Sequence, residues 1–207
     1  MASTKARIPG LLATGWVART LLVAAAALAC VPLLAPATAS AAGKSGLRCK
    51  PKTTAAVSAL PRQAPTARLA RATVCVINQR RAARGLRRLR LNPRLSKAAV
   101  WHSHDMVHRH YFAHVSRSGH DIVDRLRRTR YIRRGFTWMV GENLAWGSGS
   151  SGAPLEIVSA WMKSPPHRRN MLNPRYREIG IGVLVGGPQR TDLPAATYTS
   201  TFGARRR

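Results

Sequence analysis

Acidic residues are the scarcest feature of this 207-residue chain, which has seven Asp and Glu against 35 Lys and Arg and a formal net charge of +28. This shortage excludes a surface of balanced charge and predicts long-range attraction to anions such as nucleic acid, wall polymers and anionic lipid heads. Arginine supplies most of the excess, and two explanations stay open. One is phosphate recognition, and the other is the arginine-rich codon usage of a GC-rich genome.

Long apolar runs are also scarce, and the one at residues 21–35 follows the basic residues Lys5, Arg7 and Arg19. It is shorter than the roughly 20 residues of a membrane span. Small residues around Ala39 fit a signal-peptide cleavage site. We therefore predict a signal peptide over residues 1–41. The mature protein would be secreted, either free outside the cell or associated with the wall. An uncleaved anchor and a lipoprotein lipidated at Cys30 are the alternatives.

Cysteine is rare as well, and cleavage would leave Cys49 and Cys75 of the three present. Two cysteines in an oxidising compartment most simply form one disulfide. Closing a loop of about 25 residues would stabilise the fold by about 3 kcal/mol in the chain-entropy model. Two unpaired thiols are the alternative.

The rest of the chain predicts a linker over residues 42–66 and one domain over residues 67–207, with helices first and strands last. Apolar spacing predicts helices over residues 66–84, 93–111, 121–129 and 154–164, and strands over residues 179–185 and 197–202. Asn92 and Asp121 are suitable N-caps. We expect Arg125, Arg127 and Arg128 on the exposed side of the third helix. This order of elements indicates an α+β layered domain.

Histidine is the residue type with most information about function, because six of the seven lie between residues 102 and 120. His104 and His108 are four residues apart on one helix, so they either clamp a metal or face solvent on a basic helix. His114 follows two aromatic residues that we expect to anchor its turn in the core. Glu142 lies between apolar residues, where a charge needs a partner. Taken singly, these sites and a polar loop at residues 164–170 also have structural explanations.

Eight motifs in fixed order make the chain resemble the bacterial branch of the CAP superfamily, which includes cysteine-rich secretory, antigen 5 and pathogenesis-related proteins. The most specific are G-E-N-L-A, W-M-x-S-P-x-H-R-x-N-M-L and E-I-G-I-G-V. They begin at Gly141, Trp161 and Glu178. The other five are I-N-x-x-R from Ile77, G-L-x-x-L-x-x-N-P-x-L from Gly85, F-A-H-x-S from Phe112, D-R-L from Asp124 and T-Y-T-x-x-F-G from Thr197.

The resemblance implies a three-layer α-β-α sandwich of CAP type, with a cleft that holds two histidines and acidic residues. His114, His167 and Glu142 match the cleft residues, and Ser116, Ser164 and Asn143 belong to the same motifs. In some relatives the histidines bind a divalent metal. Here Ser164 stands near a second glutamate of the eukaryotic members, so we expect at most a weak Zn²⁺ site. That site would be formed by His114, His167 and Glu142. Bracing of the cleft by hydrogen bonds is the alternative.

Three functions are compatible with these features. The first is a binding module for a lipid, an anionic cell-envelope polymer or a divalent metal, acting as a monomer without a membrane span. The second is an extracellular, protease-like hydrolase that uses the same cleft. The third is a nucleic-acid or polyanion binder that acts through the basic surface.

Overall fold

The computed structural model describes residues 49–207, so the predicted signal peptide and the first part of the predicted linker lie outside the described residues. The helices are α1 Pro51–Thr54, α2 Thr66–Ala82, α3 Pro93–His108, α4 Ile122–Arg128, α5 Pro154–Lys163 and α6 Pro165–Leu172. The strands are β1 Arg90–Leu91, β2 Thr137–Ser148, β3 Glu178–Val185 and β4 Ala195–Arg206. None of the helices in this part of the chain is both long and apolar enough to cross a membrane.

The four strands form one sheet in the order β1-β3-β4-β2, in which β1 and β3 are parallel and the other neighbours antiparallel. Helices α2, α5 and α6 cover one face through the larger apolar core. Helices α3 and α4 cover the other face through a smaller core around Leu95 and Leu126. The layered α+β class and the α-β-α arrangement predicted from the sequence are confirmed.

Side-chain caps determine where two of the helices begin. The Asn92 side chain accepts hydrogen bonds from the backbone N–H groups of Arg94 at 2.9 Å and Leu95 at 3.4 Å, which starts α3. Asp121 accepts from Asp124 N at 2.9 Å, and the Asp124 side chain accepts in return from Asp121 N, forming a capping box at α4. Both predicted helix starts are confirmed.

The segment before α2 is attached to the domain at several points. Cys49 and Cys75 form the predicted disulfide, with Cα atoms 5.8 Å apart. Ala56 and Ala64 are buried in the larger core, and the Val57 carbonyl accepts from Leu155 N at 3.0 Å. The later part of the predicted linker therefore packs against the helical layer that also contains α5.

Besides the short α1 and β1, two longer elements have no counterpart in the sequence analysis. Strand β2 forms an edge of the sheet and pairs with β4 along its whole length, from Thr137 to Ser148. Helix α5 ends before Ser164 as predicted, but α6 begins at once, with Pro165 in its first turn. Proline suits that place because the first helical N–H needs no intrahelical partner. Both of these longer elements carry residues of the candidate site.

The alternation of β3 lets the two helical layers approach the sheet to different depths. Ile179, Ile181 and Val183 point into the larger core, whereas Gly180 and Gly182 face α3. A Cβ atom on either glycine would overlap the α3 backbone, at Leu95–Ser96 and at Ala99–Val100. The absence of a side chain is therefore what allows α3 to lie close to β3.

We expect Gly182→Ala to lower the free energy of unfolding by about 3 kcal/mol, because backbone atoms of α3 cannot yield as a flexible side chain can. Gly119→Ala is the control. Its site is open, with a φ of +82°, so its cost should be about 1 kcal/mol from the left-handed conformation alone. Urea unfolding of both variants measures the difference. Equal losses would show that α3 adjusts freely.

Candidate functional site

A buried carboxylate, that of Glu142, forms the centre of the candidate site. Glu142 lies on β2 and is 8% exposed. Its Oε2 accepts a hydrogen bond from Arg125 Nη2 at 2.9 Å, and its Oε1 accepts from the same nitrogen at 3.0 Å. Oε1 also accepts from His114 Nδ1 at 2.9 Å. The structure therefore brings Glu142 and His114 together, and it supplies a cation that offsets the cost of burying the carboxylate.

Arg125 is the residue of this site that sequence reasoning missed. The expectation that it lies on the exposed side of α4 is wrong, since it is 8% exposed, whereas Arg127 and Arg128 are exposed as expected. Besides Glu142, its guanidinium donates to the His114 and His120 carbonyls at 3.0–3.1 Å. Its place in the D-R-L motif was the signal that could have identified it. Arg125 ties the loop between α3 and α4 to the sheet.

The turn that carries His114 is not anchored by two buried aromatic residues, as the sequence analysis expected. Phe112 is 44% exposed, so the prediction that its aromatic pair anchors the turn in the core is wrong for Phe112. Tyr111 is half-buried and donates from its hydroxyl to Asp105. The His114 side chain is 58% exposed even though Nδ1 is bound to Glu142. Polar contacts through Arg125 and Glu142, not apolar burial, therefore position this histidine.

His102 adds a neutral imidazole beneath the same carboxylate. It is 1% exposed, and its Nε2 donates to the Ala113 carbonyl at 3.0 Å. Burial lowers the pKa of His102, so the ring is neutral near pH 7 and its 4.0 Å approach to Glu142 is not an ion pair. His102 therefore acts as a hydrogen-bonded support for the 111–114 turn.

Asn143 points to the opposite face of the sheet from Glu142, as adjacent strand residues do. Its Nδ2 donates to the His167 carbonyl at 3.0 Å, and its Oδ1 accepts from Asn170 Nδ2 at 2.9 Å. Asn170 Nδ2 also donates to the Glu142 carbonyl at 3.0 Å. The G-E-N motif thus connects the α4 layer through its glutamate and the α6 layer through its asparagine.

His167 lies in the first turn of α6, where its Nδ1 is 2.9 Å from Ser164 Oγ. The pKa of His167 is lowered by burial and, to a lesser extent, by the charge of His114. Assignment of these residues to one ligand-binding cleft stays a prediction.

Ser116 and His104 line one cavity of about 310 Å³ together with His102 and Arg125, although neither bonds to the His114–Glu142 pair. The Ser116 hydroxyl bonds within its own loop, to Ser118 Oγ at 3.1 Å and the His120 carbonyl at 3.1 Å. It makes no hydrogen bond to His114, Glu142 or His167. The His104 and His108 rings are exposed and stack with centroids 3.9 Å apart. Their role as a metal clamp stays a prediction.

The side chains predicted to bind zinc, His114, His167 and Glu142, differ in whether their coordinating atoms are free. Glu142 is already engaged by Arg125 and His114, and no group of three His, Cys, Asp or Glu side chains within residues 49–207 is arranged to hold a metal. A closed site with Glu142 as a ligand does not fit this geometry. The Nε2 atoms of His114 and His167 make no hydrogen bond to a described residue, so two imidazoles remain as donors.

The family model for the cysteine-rich secretory protein family, CAP, matches residues 74–201. That range includes Arg125, Glu142, Asn143 and both histidines of the site. The chain belongs to this family. The resemblance inferred from the eight sequence motifs is therefore confirmed, and the G-E-N cluster described above is part of a CAP domain.

Two curated relatives of this CAP domain come from Bacillus subtilis (strain 168). Uncharacterized protein YkwD is 36% identical over 110 residues, which is 53% of this chain and 40% of YkwD. Uncharacterized membrane protein YlbC is 32% identical over 103 residues, which is 50% of this chain and 28% of YlbC. The matched region thus spans less than half of the length of either relative.

Two solved structures share the fold of the CAP domain. An extracellular protein containing an SCP domain from Bacillus anthracis str. Ames has a TM-score of 0.52 at 25% identity, covering 67% of this chain and 43% of that protein. An outer surface protein from Borrelia burgdorferi has a TM-score of 0.57 at 21% identity, covering 71% of this chain and 100% of that protein. The second likeness concerns the fold alone.

We expect Arg125→Ala to lower the free energy of unfolding by about 3–5 kcal/mol, because it leaves the Glu142 carboxylate buried without its cation. Arg127→Ala is a matched control on the same helix. Its guanidinium is exposed and lies 3.6 Å from Asp124, so its loss should cost less than about 1 kcal/mol. Urea unfolding gives both values, and limited proteolysis should show faster cleavage within residues 110–120 in Arg125→Ala alone. Similar stabilities of the two variants would contradict this account of the site.

Proposed function

We propose that this CAP-family protein is an exported, non-enzymatic binding protein for an anionic component of the cell envelope. The observation that carries the proposal is the charge of the chain, +28, on a fold that consumes much of its negative charge internally. Asp105, Asp124 and Glu142 are paired with arginines. Most of the positive charge therefore has no internal partner and is available to anions.

The geometry of the cleft also supports binding over catalysis. The Glu142 carboxylate is bound by Arg125 and His114, so it is not placed as a free general base or nucleophile. Export is supported by the signal-peptide pattern and by the likeness to a protein described as extracellular. An exported basic protein would meet anionic polymers and lipid heads at the cell surface first.

We expect binding to heparin and to vesicles with anionic lipid to weaken about 100-fold or more between about 50 and 200 mM salt, as several anion contacts release counterions. Vesicles of neutral lipid are the control and should bind little protein at any salt concentration. Co-sedimentation and heparin-column elution measure both. Salt-independent binding would overturn the proposal and indicate an apolar ligand.

A weakly held zinc ion is a second candidate ligand, favoured by the two histidines whose Nε2 atoms are not engaged by described residues. When bound, zinc would supply a Lewis acid or a link to a ligand, with water completing its coordination. Glu142 would hold the His114 ring through Nδ1, and Ser164 would hold the His167 ring. Such outer contacts fix which ring nitrogen is available.

Zinc titration by calorimetry should show micromolar or weaker binding that is lost in His114→Ala with His167→Ala. Binding needs neutral imidazoles, and the pKa of His167 is lowered from its ordinary value near 6.5. Affinity should therefore fall at acidic pH, below the ordinary histidine pKa of about 6.5, as His167 takes up a proton. His104→Ala with His108→Ala is the matched control and should bind as the wild type does. Unchanged binding in the first variant would place any zinc elsewhere.

An extracellular hydrolase is the alternative, and one contact favours it, the 2.9 Å approach of Ser164 Oγ to His167 Nδ1. A nucleophilic site also needs a group that orients the base. The hydrogen bonds of the described residues give His167 no carboxylate partner, since Glu142 serves His114 and Arg125. The contact therefore supports catalysis less than the charge supports binding.

A further inference from the structure

A second cavity lies away from the His114–Glu142 cluster, at the end of the sheet where β2 begins and β4 ends. Its volume is about 440 Å³, within the range of ligand-binding pockets. Arg175 and Arg177 line it from the segment before β3, and Arg205 and Arg206 line it from the end of β4. Trp138 of β2 completes the arginine groove, as we name this surface.

Two of the four arginines are held in place by neutral groups. Arg205 Nη1 donates to the Tyr131 carbonyl at 3.2 Å, and its guanidinium lies 4.8 Å from the Tyr131 ring centroid. Arg177 Nη1 donates to the Pro174 and Tyr176 carbonyls. A carbonyl or a ring face orients a guanidinium without cancelling its charge, and each side chain keeps donors that can bind another group.

The groove contains no negative charge to compensate the four arginines. All seven acidic residues of the chain lie within residues 49–207, none of them lines the groove, and no ion pair there includes an arginine of the groove. Glu178 follows Arg177 in sequence, but its carboxylate accepts from Asn92 at 2.8 Å and Tyr131 at 2.8 Å. An arginine whose charge has no carboxylate partner and whose guanidinium is held in place can bind two oxygens of one phosphate at once.

Trp138 adds an apolar wall to this positive surface. It is 40% exposed. Trp138 lies directly opposite Arg205 in the β2–β4 register, so these two side chains share one face of the sheet, whereas Thr137 and Arg206 share the other. The arginine groove therefore runs around the end of the sheet, and it suits a flexible chain whose phosphates meet arginines on both faces and whose joining units pack against the ring.

We propose that the arginine groove binds a phosphodiester-linked polymer, with arginines on neighbouring phosphates and Trp138 against the unit that joins them. This inference rests on the proposed function, because it names the chemistry and the place of the anionic ligand. The occupant is a base-free phosphodiester polymer of the cell envelope. Single-stranded nucleic acid has the same backbone and is the alternative that the probes below separate from it.

The test measures binding of a fluorescent dT12 oligonucleotide by anisotropy at about 100 mM salt. Arg175→Ala with Arg206→Ala removes two exposed arginines of the groove, and we expect it to weaken binding at least tenfold. Arg68→Ala with Arg71→Ala is the matched control. Both its residues are exposed on α2 outside the groove, the change in net charge is the same, and we expect a loss below threefold. Thermal unfolding should confirm that both variants are folded.

The outcomes separate the groove from general charge. Equal losses in the two double variants would overturn the groove while leaving anion binding through net charge intact. Failure of the wild type to bind any polyanion would overturn the proposed function as well. A heparin fragment of the same charge that binds as tightly and loses as much in the groove variant would overturn the preference for phosphodiesters.

A base-free phosphodiester 12-mer identifies the source of the ligand. If Trp138→Ala weakens binding of dT12 alone, the ring stacks on bases and the groove is suited to single-stranded nucleic acid. If Trp138→Ala weakens both chains equally, the ring packs on the backbone unit and the groove is suited to a base-free envelope polymer. The first result would overturn the assignment to an envelope polymer, and the second supports it. Unchanged binding of both chains would overturn the role assigned to Trp138.

Discussion

The candidate site depends on one buried carboxylate, that of Glu142. A carboxylate removed from water is strongly unfavourable unless a cation and hydrogen-bond donors replace the lost hydration. Arg125 meets that need with two contacts of 2.9 and 3.0 Å. The same guanidinium then holds the carbonyls of His114 and His120. The guanidinium that stabilises the buried carboxylate of Glu142 therefore also fixes the position of the exposed His114.

The neighbour of Glu142 extends this constraint to the other layer. Since Glu142 and Asn143 face opposite sides of an edge strand, one pair of residues can contact helices on both faces of the sheet. Asn143 fixes the start of α6 through the His167 carbonyl, and Asn170 returns a hydrogen bond to the strand. A displacement of β2 would therefore move His114 and His167 together, because both are hydrogen-bonded to residues of this strand.

This arrangement explains which parts could be predicted from sequence. Caps and turns are local, so the starts of α3 and α4 follow from Asn92 and Asp121. The pairing of Arg125 with Glu142 is not local, because its partner is on another element and an arginine on a short helix ordinarily faces solvent. Strand β2 shows no simple alternation, since its central residues are buried on both faces of the sheet. Pro165 and Pro166 indicated the end of a helix, and they are also the first two residues of the next one, α6.

The distribution of partners bears on why arginine is so abundant. Codon preference can set the number of arginines in a chain, but it does not decide which of them receive carboxylates. In this fold the carboxylates of Glu142, Asp105 and Asp124 serve Arg125, Arg109 and Arg127, whereas Arg177 and Arg205 are oriented by carbonyls and aromatic rings. A neutral partner fixes direction and leaves the field of the charge intact. Neutral groups orient Arg81 and Arg117 as well, so the fold leaves much of its positive charge oriented but uncompensated, and at the end of the sheet two such arginines line one groove.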